Sequence, residues 1–256
     1  LMPLKRSCRR NLFVPELALI LLVVFLAGIV QSITGFGFGL VLVSLLSLSL
    51  PVKTAVVFNV VPALTINVIL GWRLRSHLRW DHLKFAAVAA VVCTPVGVLL
   101  VSYLNEKVMN GILALILLMT LLQALLGSRI TQRPWHHIWL GTPMGAFAGL
   151  LSGSYGVGGP PLVAYVRSRH YDRFAYVVSV QVLLAMSAVC RVISLLWQDT
   201  LTAEQWAING MAAAVVIPAI FIGMKLLKHL PNHWLNRLVL AMLGIIMLNV
   251  IMKLLH

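Results

Sequence analysis

Eight apolar stretches, at about 16–50, 54–72, 83–104, 108–127, 138–166, 174–197, 205–227 and 234–255, take up nearly all of a 256-residue chain. A helix needs roughly 20 mostly apolar residues to cross the hydrocarbon core of a bilayer, and most of these stretches have about that length. Hydrophobic residues make up 61% of the chain and charged ones 10%, whereas ordinary globular proteins are near 25% charged. The fold class that fits is an all-α integral membrane protein, with almost nothing left for a domain outside the lipid. The net charge of +14 therefore does not signal a nucleic-acid-binding fold. In a membrane protein Lys and Arg collect in cytoplasmic loops, and they also concentrate anions near a pathway.

Cys8, Cys93 and Cys190 have no paired spacing, so neither a disulfide framework nor a zinc site is expected. Lys5, Arg6, Arg9 and Arg10 ahead of an apolar run imitate a secretory signal, but the run continues to Leu50, far beyond a signal-peptide core.

The first and fifth stretches are too long for one crossing, and each contains a glycine cluster. Thr34-Gly35-Phe36-Gly37-Phe38-Gly39 interrupts the first; Gly153-Ser154-Tyr155-Gly156-Val157-Gly158-Gly159, followed by Pro160 and Pro161, interrupts the fifth. Each glycine costs a helix roughly 1 kcal/mol relative to alanine, and interior prolines cost more, so a broken helix or helical hairpin is expected at both places.

The clusters sit at matching positions. A shift of 121 residues lays Ala27-Gly28 on Ala148-Gly149, Gly35 on Gly156 and Gly37 on Gly158; a shift of 120 matches Asn59 with Ser179 and Asn67 with Ser187; one of 126 matches Gly97 with Gly223 and Leu104 with Leu230. Two four-segment repeats are expected, 1–137 (with the basic tail and the polar linker Ser128–His137) and 138–256, each with one broken helix, a known transporter pattern. Coincidence in an apolar alphabet is the alternative. If all eight stretches cross once, basic loop residues divide eleven against eight; if stretches one and five are hairpins, they divide twelve against three outside the N-terminal tail. The second count favours inverted repeats and leaves the basic tail outside, against the usual weight of the first segment.

Inside hydrocarbon, irregular backbone survives only when buried in protein or lining a polar cavity. Where a helix restarts, its first amides are unpaired and carry the positive end of the helix dipole. Gly35, Gly37 and Gly39, with Phe36 and Phe38 between them, and Gly156, Gly158 and Gly159 are thus candidates to present amides to one oxyanion. Tight helix crossing through small residues is the competing explanation. Polar side chains in the apolar stretches are few: Gln31, Ser32, Thr34, Asn59, Thr65, Asn67, Ser152, Ser154, Tyr155, Ser179, Gln181, Ser187 and Arg191. Hydroxyls and amides donate to an anion without adding negative charge, and of these Gln31, Ser32, Thr34, Asn59, Ser154, Tyr155, Ser179 and Gln181 join the candidate substrate site. Hydroxyls also serve as helix glue.

Arg191 is the one Lys or Arg well inside a span, and no acidic residue lies at that depth to pair with it. An intramembrane charge is a functional candidate by default; it binds a substrate anion, snorkels toward Trp197, or caps carbonyls. Glu16, Asp81, Glu106, Asp172, Asp199 and Glu204 all flank spans or sit in loops. The usual parts of catalysis are missing, the glycine runs lack the lysine and strand of a nucleotide loop, and neither metal nor cofactor is expected. Carboxylate-relayed proton or sodium coupling lacks its parts as well. With a negative cell interior, each negative charge leaving gains about 2.3 kcal/mol per 100 mV, so export of an anion needs no coupled ion.

Ala27-Gly28 leading into Gly35-Phe36-Gly37-Phe38-Gly39, and Ala148-Gly149 leading into Gly156-Val157-Gly158-Gly159-Pro160, in a chain of duplicated halves, resemble the TauE/SafE family of sulfite and organosulfonate exporters over nearly the whole length. The resemblance implies a multi-pass carrier of the bacterial inner membrane that exports sulfite, sulfoacetate or a related sulfonate, with the glycine turns near the substrate. Phe36 and Phe38 stand where many members have a denser glycine run. The expected partners are a small anion and the lipid bilayer, with no nucleic acid; self-association into a homo-oligomer stays open. An anion or small-solute channel and a non-transporting accessory protein are the alternative functions.

Overall fold

A computed structural model describes residues 13–80, 83–130, 140–169 and 171–229. The basic tail, Asp81, most of the linker Ser128–His137 and the eighth apolar stretch with Leu230 lie outside the described residues. Those described form ten α-helices and a single 3-10 turn: α1 (Phe13–Thr34), α2 (Phe38–Leu46), α3 (Val52–Val57), α4 (Val60–Arg73), the turn Arg75–His77, α5 (Lys84–Tyr103), α6 (Glu106–Ile130), α7 (Gly141–Tyr155), α8 (Gly159–Arg167), α9 (Arg173–Trp197) and α10 (Ala203–His229). No strand occurs among them. Among the described residues six stretches are long and apolar enough to cross a membrane: Glu16–Thr34, Val52–Arg73, Lys84–Tyr103, Glu106–Gln123, Arg173–Trp197 and Ala203–Leu226. The chain is a multi-pass membrane protein.

Both long apolar stretches break at their glycines. Gly35 and Gly37 have φ of +82° and +102°, and Gly156 has +70°, a region that side chains resist and glycine enters freely. The two breaks open alike: Gly35 N–H donates to Gln31 O at 2.8 Å and Gly156 N–H to Ser152 O at 2.9 Å, each closing the preceding helix with a left-handed cap. At 9 residues each, α2 and α8 are only about 14 Å long, too short to cross. α2 packs back on α1. α8 folds back along α7 until the Tyr165 hydroxyl lies over Gly141.

Glycine stripes set the packing. Along α7, Gly145, Gly149 and Gly153 bring its backbone against Ala86, Ala90 and Thr94 of α5, where an added Cβ would overlap a carbonyl oxygen. On the other side of the molecule Gly28 of α1 meets Val216 and Ala219 of α10, and Gly223 of α10 meets Ile29 and Ser32 of α1. In both pairs the helices run parallel. Gly149 against Ala90 and Gly28 against Val216 are counterparts under the 121 and 126 shifts, as are Gly97 against Leu150 and Gly223 against Ile29. Close crossing through small residues thus accounts for many glycines, while the breaks need glycine for its dihedral.

The stretch at 54–72, expected as one straight span, is broken too. α3 ends at Val57, and α4 starts at Val60 after Phe58 and Asn59. Pro62 has no N–H to offer Phe58 O, and the Val61 N–H is diverted to a side chain of α10. Its counterpart α9 runs unbroken for 25 residues. The start of α3 is capped from α6: the Val52 and Lys53 N–H groups donate to Glu106 Oε2 and Oε1 at 3.1 and 3.4 Å. That is a favourable place for a carboxylate. Asp172 caps α9 by accepting from Ala175 N–H.

Candidate functional site

Three side-chain amides tie the first break to the long helices. Gln31 Nε2, on α1, donates to Asn67 Oδ1 on α4 at 2.5 Å and to Gln181 Oε1 on α9 at 3.2 Å. Gln31 Oε1 accepts the Phe38 N–H at 2.9 Å, and Gln181 Nε2 donates to Gly35 O at 2.9 Å. Each end of the Gly35–Phe38 turn is held by one glutamine. Since both are buried, losing either leaves polar groups stranded in a low-dielectric interior. Gln31 and Gln181 are thereby engaged in shaping the turn.

The second break is held from the step between α3 and α4. Asn59 Nδ2 donates to Tyr155 O and Gly156 O at 3.1 and 3.2 Å. A Cβ on Gly156 would overlap Asn59 Nδ2 and Arg191 Nη1, so glycine there serves both its dihedral and a close approach. Arg191, 4% exposed, donates from Nη2 to Val56 O at 3.0 Å. Its Nε is buried without a partner, as is Asn59 Oδ1. No carboxylate pairs with Arg191 among the described residues.

Between the two breaks lies a small, partly open cavity with a volume of ≈ 20 Å³. Gln31, Gly37, Phe38, Gly39, Gly156, Gly159 and Arg191 of the expected site line it, together with Asn67, Ser152 and apolar residues such as Val60, Leu184 and Ala188. The wall contains one basic residue and no acidic one. The N–H groups of Gly39 and Leu40, in the first turn of α2, have no acceptor among the described groups. α8 offers fewer donors, because Pro160 and Pro161 have none and Gly159 alone contributes its amide at the wall. The two half-sites are therefore unequal.

The other expected residues are nearby but off the wall. Ser32, Thr34 and Ser154 donate to the carbonyls of Gly28, Val30 and Leu150 one helical turn back, the glue role of hydroxyls in apolar helices. Gly35 and Phe36 form the turn itself, the Phe36 ring packing on Gly159, and Gly158 sits against Ala148 O and Ser152. The Tyr155 hydroxyl donates to Met109 O of α6 at 3.1 Å. Ser179 is buried with its hydroxyl unpartnered. Asn67 and Ser152 stood among the polar residues of the spans but outside the expected site. Asn209, a buried amide in the 205–227 stretch, was not singled out at all; the signal was an amide side chain inside an apolar span.

A guanidinium, an amide side chain and open backbone N–H groups surround a space free of carboxylates, and all of them are hydrogen-bond donors. Residues 20–250 match the family model described as sulfite exporter TauE/SafE. Over 210 residues, 76% of this chain and 78% of the relative, the sequence is 29% identical to the probable sulfite/organosulfonate exporter TauE of Cupriavidus necator. No solved structure matches the chain. With a family match that covers nearly its whole length, the chain belongs to the TauE/SafE family of sulfite exporters.

Proposed function

We propose that this protein exports a small sulfur oxyanion, sulfite or an organosulfonate such as sulfoacetate, across the bacterial inner membrane. The observation that carries the reading is Arg191, a buried cation on the wall of the cavity between the two breaks, with no carboxylate partner among the described residues. A charge in that position is costly unless something neutralises it, and a passing anion does so. The first amides of α2 and the Asn67 side chain add donors. A dianion leaving a cell with a negative interior gains about 4.6 kcal/mol per 100 mV, so the site needs no coupling ion.

Two inverted repeats, 1–137 and 138–256, are the scaffold of this reading. It is supported by the paired glycine contacts and by the ends at which the two hairpins begin. α7 starts beside Ala86 near the start of α5, whereas α1 runs parallel to α10 and starts at the opposite end. Arg73, Arg75, Arg79, Lys84, Arg167, Arg169 and Arg173 gather at the first end, where the His77 and Phe174 rings meet at 5.3 Å. Glu16, Glu106, Asp199 and Glu204 mark the other, with Lys53 and Lys107. The positive-inside rule then sets the arginine-rich end in the cytoplasm.

The test is flux of labelled sulfite and sulfoacetate from proteoliposomes under an imposed potential. Saturable flux that follows the potential is expected. Flux that never saturates would identify a channel, and no potential-dependent movement of sulfite, sulfoacetate, taurine or thiosulfate would end the proposal.

A further inference from the structure

The backbone step at the start of α4 is bridged by a side chain from elsewhere. Were α3 and α4 continuous, Val61 N–H would donate to Val57 O. Instead Asn209, 0% exposed on α10, accepts the Val61 N–H at its Oδ1 at 3.1 Å and donates from Nδ2 to Val57 O at 3.1 Å. One amide thus satisfies both groups of the missing helical bond. It is itself anchored one turn back, where Nδ2 also donates to Gln205 O at 3.0 Å. The carbonyl immediately before this bracket, Val56 O, is the acceptor of Arg191. Asn59, which holds Gly156 O, sits inside the bracketed segment.

We propose that Asn209 is a positioning residue for the anion site: by bracketing the gap between Val57 and Val61 it fixes the α3–α4 kink, and the kink sets Arg191 through Val56 O. This rests on the anion-carrier reading above. Asn209 is absent from the cavity wall, so it acts on the passenger through the backbone it brackets, and through Arg191 by way of Val56 O. The bracket has no equivalent around the continuous α9, which makes the kink a feature of one half alone. Without the amide, Val57 O and Val61 N–H would have to find each other or stay unpaired in an apolar interior. Closing the helix that way would straighten the step and draw Val56 O away from the guanidinium.

The experiment compares wild type, Asn209→Ala, Arg191→Lys and the double variant in reconstituted sulfite flux. Asn209→Leu, which fills much the same volume and makes neither bond, stands in should the alanine variant fail to fold. Asn209→Ala is expected to raise KM about tenfold, the scale of a lost hydrogen bond to a charged group, with the maximal rate within about twofold. The double variant should be no worse than Arg191→Lys alone, because residues that act through one another are not additive. A fall in maximal rate at unchanged KM, or effects that multiply, would overturn the assignment. A second readout needs no flux: the ¹⁵N resonances of the Arg191 guanidinium should move in Asn209→Ala without any anion present. Unmoved resonances overturn the positioning role even if flux is normal; moved resonances in a protein that carries no anion leave it standing and defeat the transport reading alone.

Discussion

Gly39, in the first turn of α2, touches Gly156, at the end of α7, so closely that a Cβ on Gly39 would overlap the Gly156 carbonyl oxygen and come within 2.9 Å of Asn59 Nδ2. The two interruptions of the fold are thus in direct backbone contact. Arg191 reaches the same spot from α9, its Nη1 against the Gly156 backbone.

Gly39→Ala should therefore destabilise the protein by about 1–3 kcal/mol, the range for overpacking a well-filled interior. Gly37→Ala meets no atom within 4 Å but must adopt φ +102°, a strain of about 1–3 kcal/mol. Gly111, inside α6 with nothing within 4 Å and no positive φ, is the control: its change to alanine should stabilise by about 0.5–1 kcal/mol. Thermal unfolding in detergent separates the three. A Gly39→Ala protein as stable as the control would mean that the breaks do not touch.

Arg191→Met keeps much of the side-chain volume and removes the charge. Half-saturation for sulfite should rise by about ten- to a hundredfold, the loss expected for a hydrogen-bonded charge partner. Arg191→Lys should fall between the two, since one ammonium cannot hold Val56 O and face the cavity with the spread of a guanidinium fork. Initial rates of potential-driven flux against sulfite concentration check both. Equal half-saturation in all three proteins would leave Arg191 as a carbonyl cap only.

Gln31 and Gln181 should be energetically coupled. Gln31→Ala strands the Phe38 N–H, Asn67 Oδ1 and Gln181 Oε1, and Gln181→Leu strands Gly35 O. Each alone should cost about 2–3 kcal/mol as buried groups lose partners, and the pair less than the sum by about 0.5–3 kcal/mol. A double-mutant cycle on unfolding free energies reads the coupling, and strict additivity would show that the amide chain is not one network.

Much of this was legible in the residue order. Closely spaced glycines inside an apolar run disfavour a continuous helix, so the interruptions at Gly35 and Gly156 could be read from Gly-Phe-Gly and Gly-Val-Gly-Gly. The kink at Asn59 could not be read in the same way. Its local signal, one proline three residues after an asparagine, also suits the first turn of an ordinary helix, and what opens the backbone comes from Asn209, about 150 positions away. The same distance hid the division of labour among the polar residues. Gln31 and Asn67 look alike as amides in a span, yet Gln31 spends its donors on Asn67 and Gln181, while Asn67 Nδ2 has no described acceptor and Asn67 lines the cavity.

The arrangement of the two hairpins predicts a labelling pattern. In a background without Cys8, Cys93 and Cys190, single cysteines at Ser76 and Arg167 probe the arginine-rich end, and ones at Ser49 and Thr202 the acidic end; all four positions are exposed. With the arginine-rich end in the cytoplasm, a membrane-impermeant maleimide added to intact cells should label Ser49→Cys and Thr202→Cys and spare the other two until the membrane is opened. Eight single crossings would instead leave Ser76 and Arg167 on opposite sides, because one more crossing would separate them. Their shared response to permeabilisation is therefore the decisive comparison: Ser49 and Thr202 report which end faces out, whereas Ser76 and Arg167 report whether α7 and α8 return to the side they left.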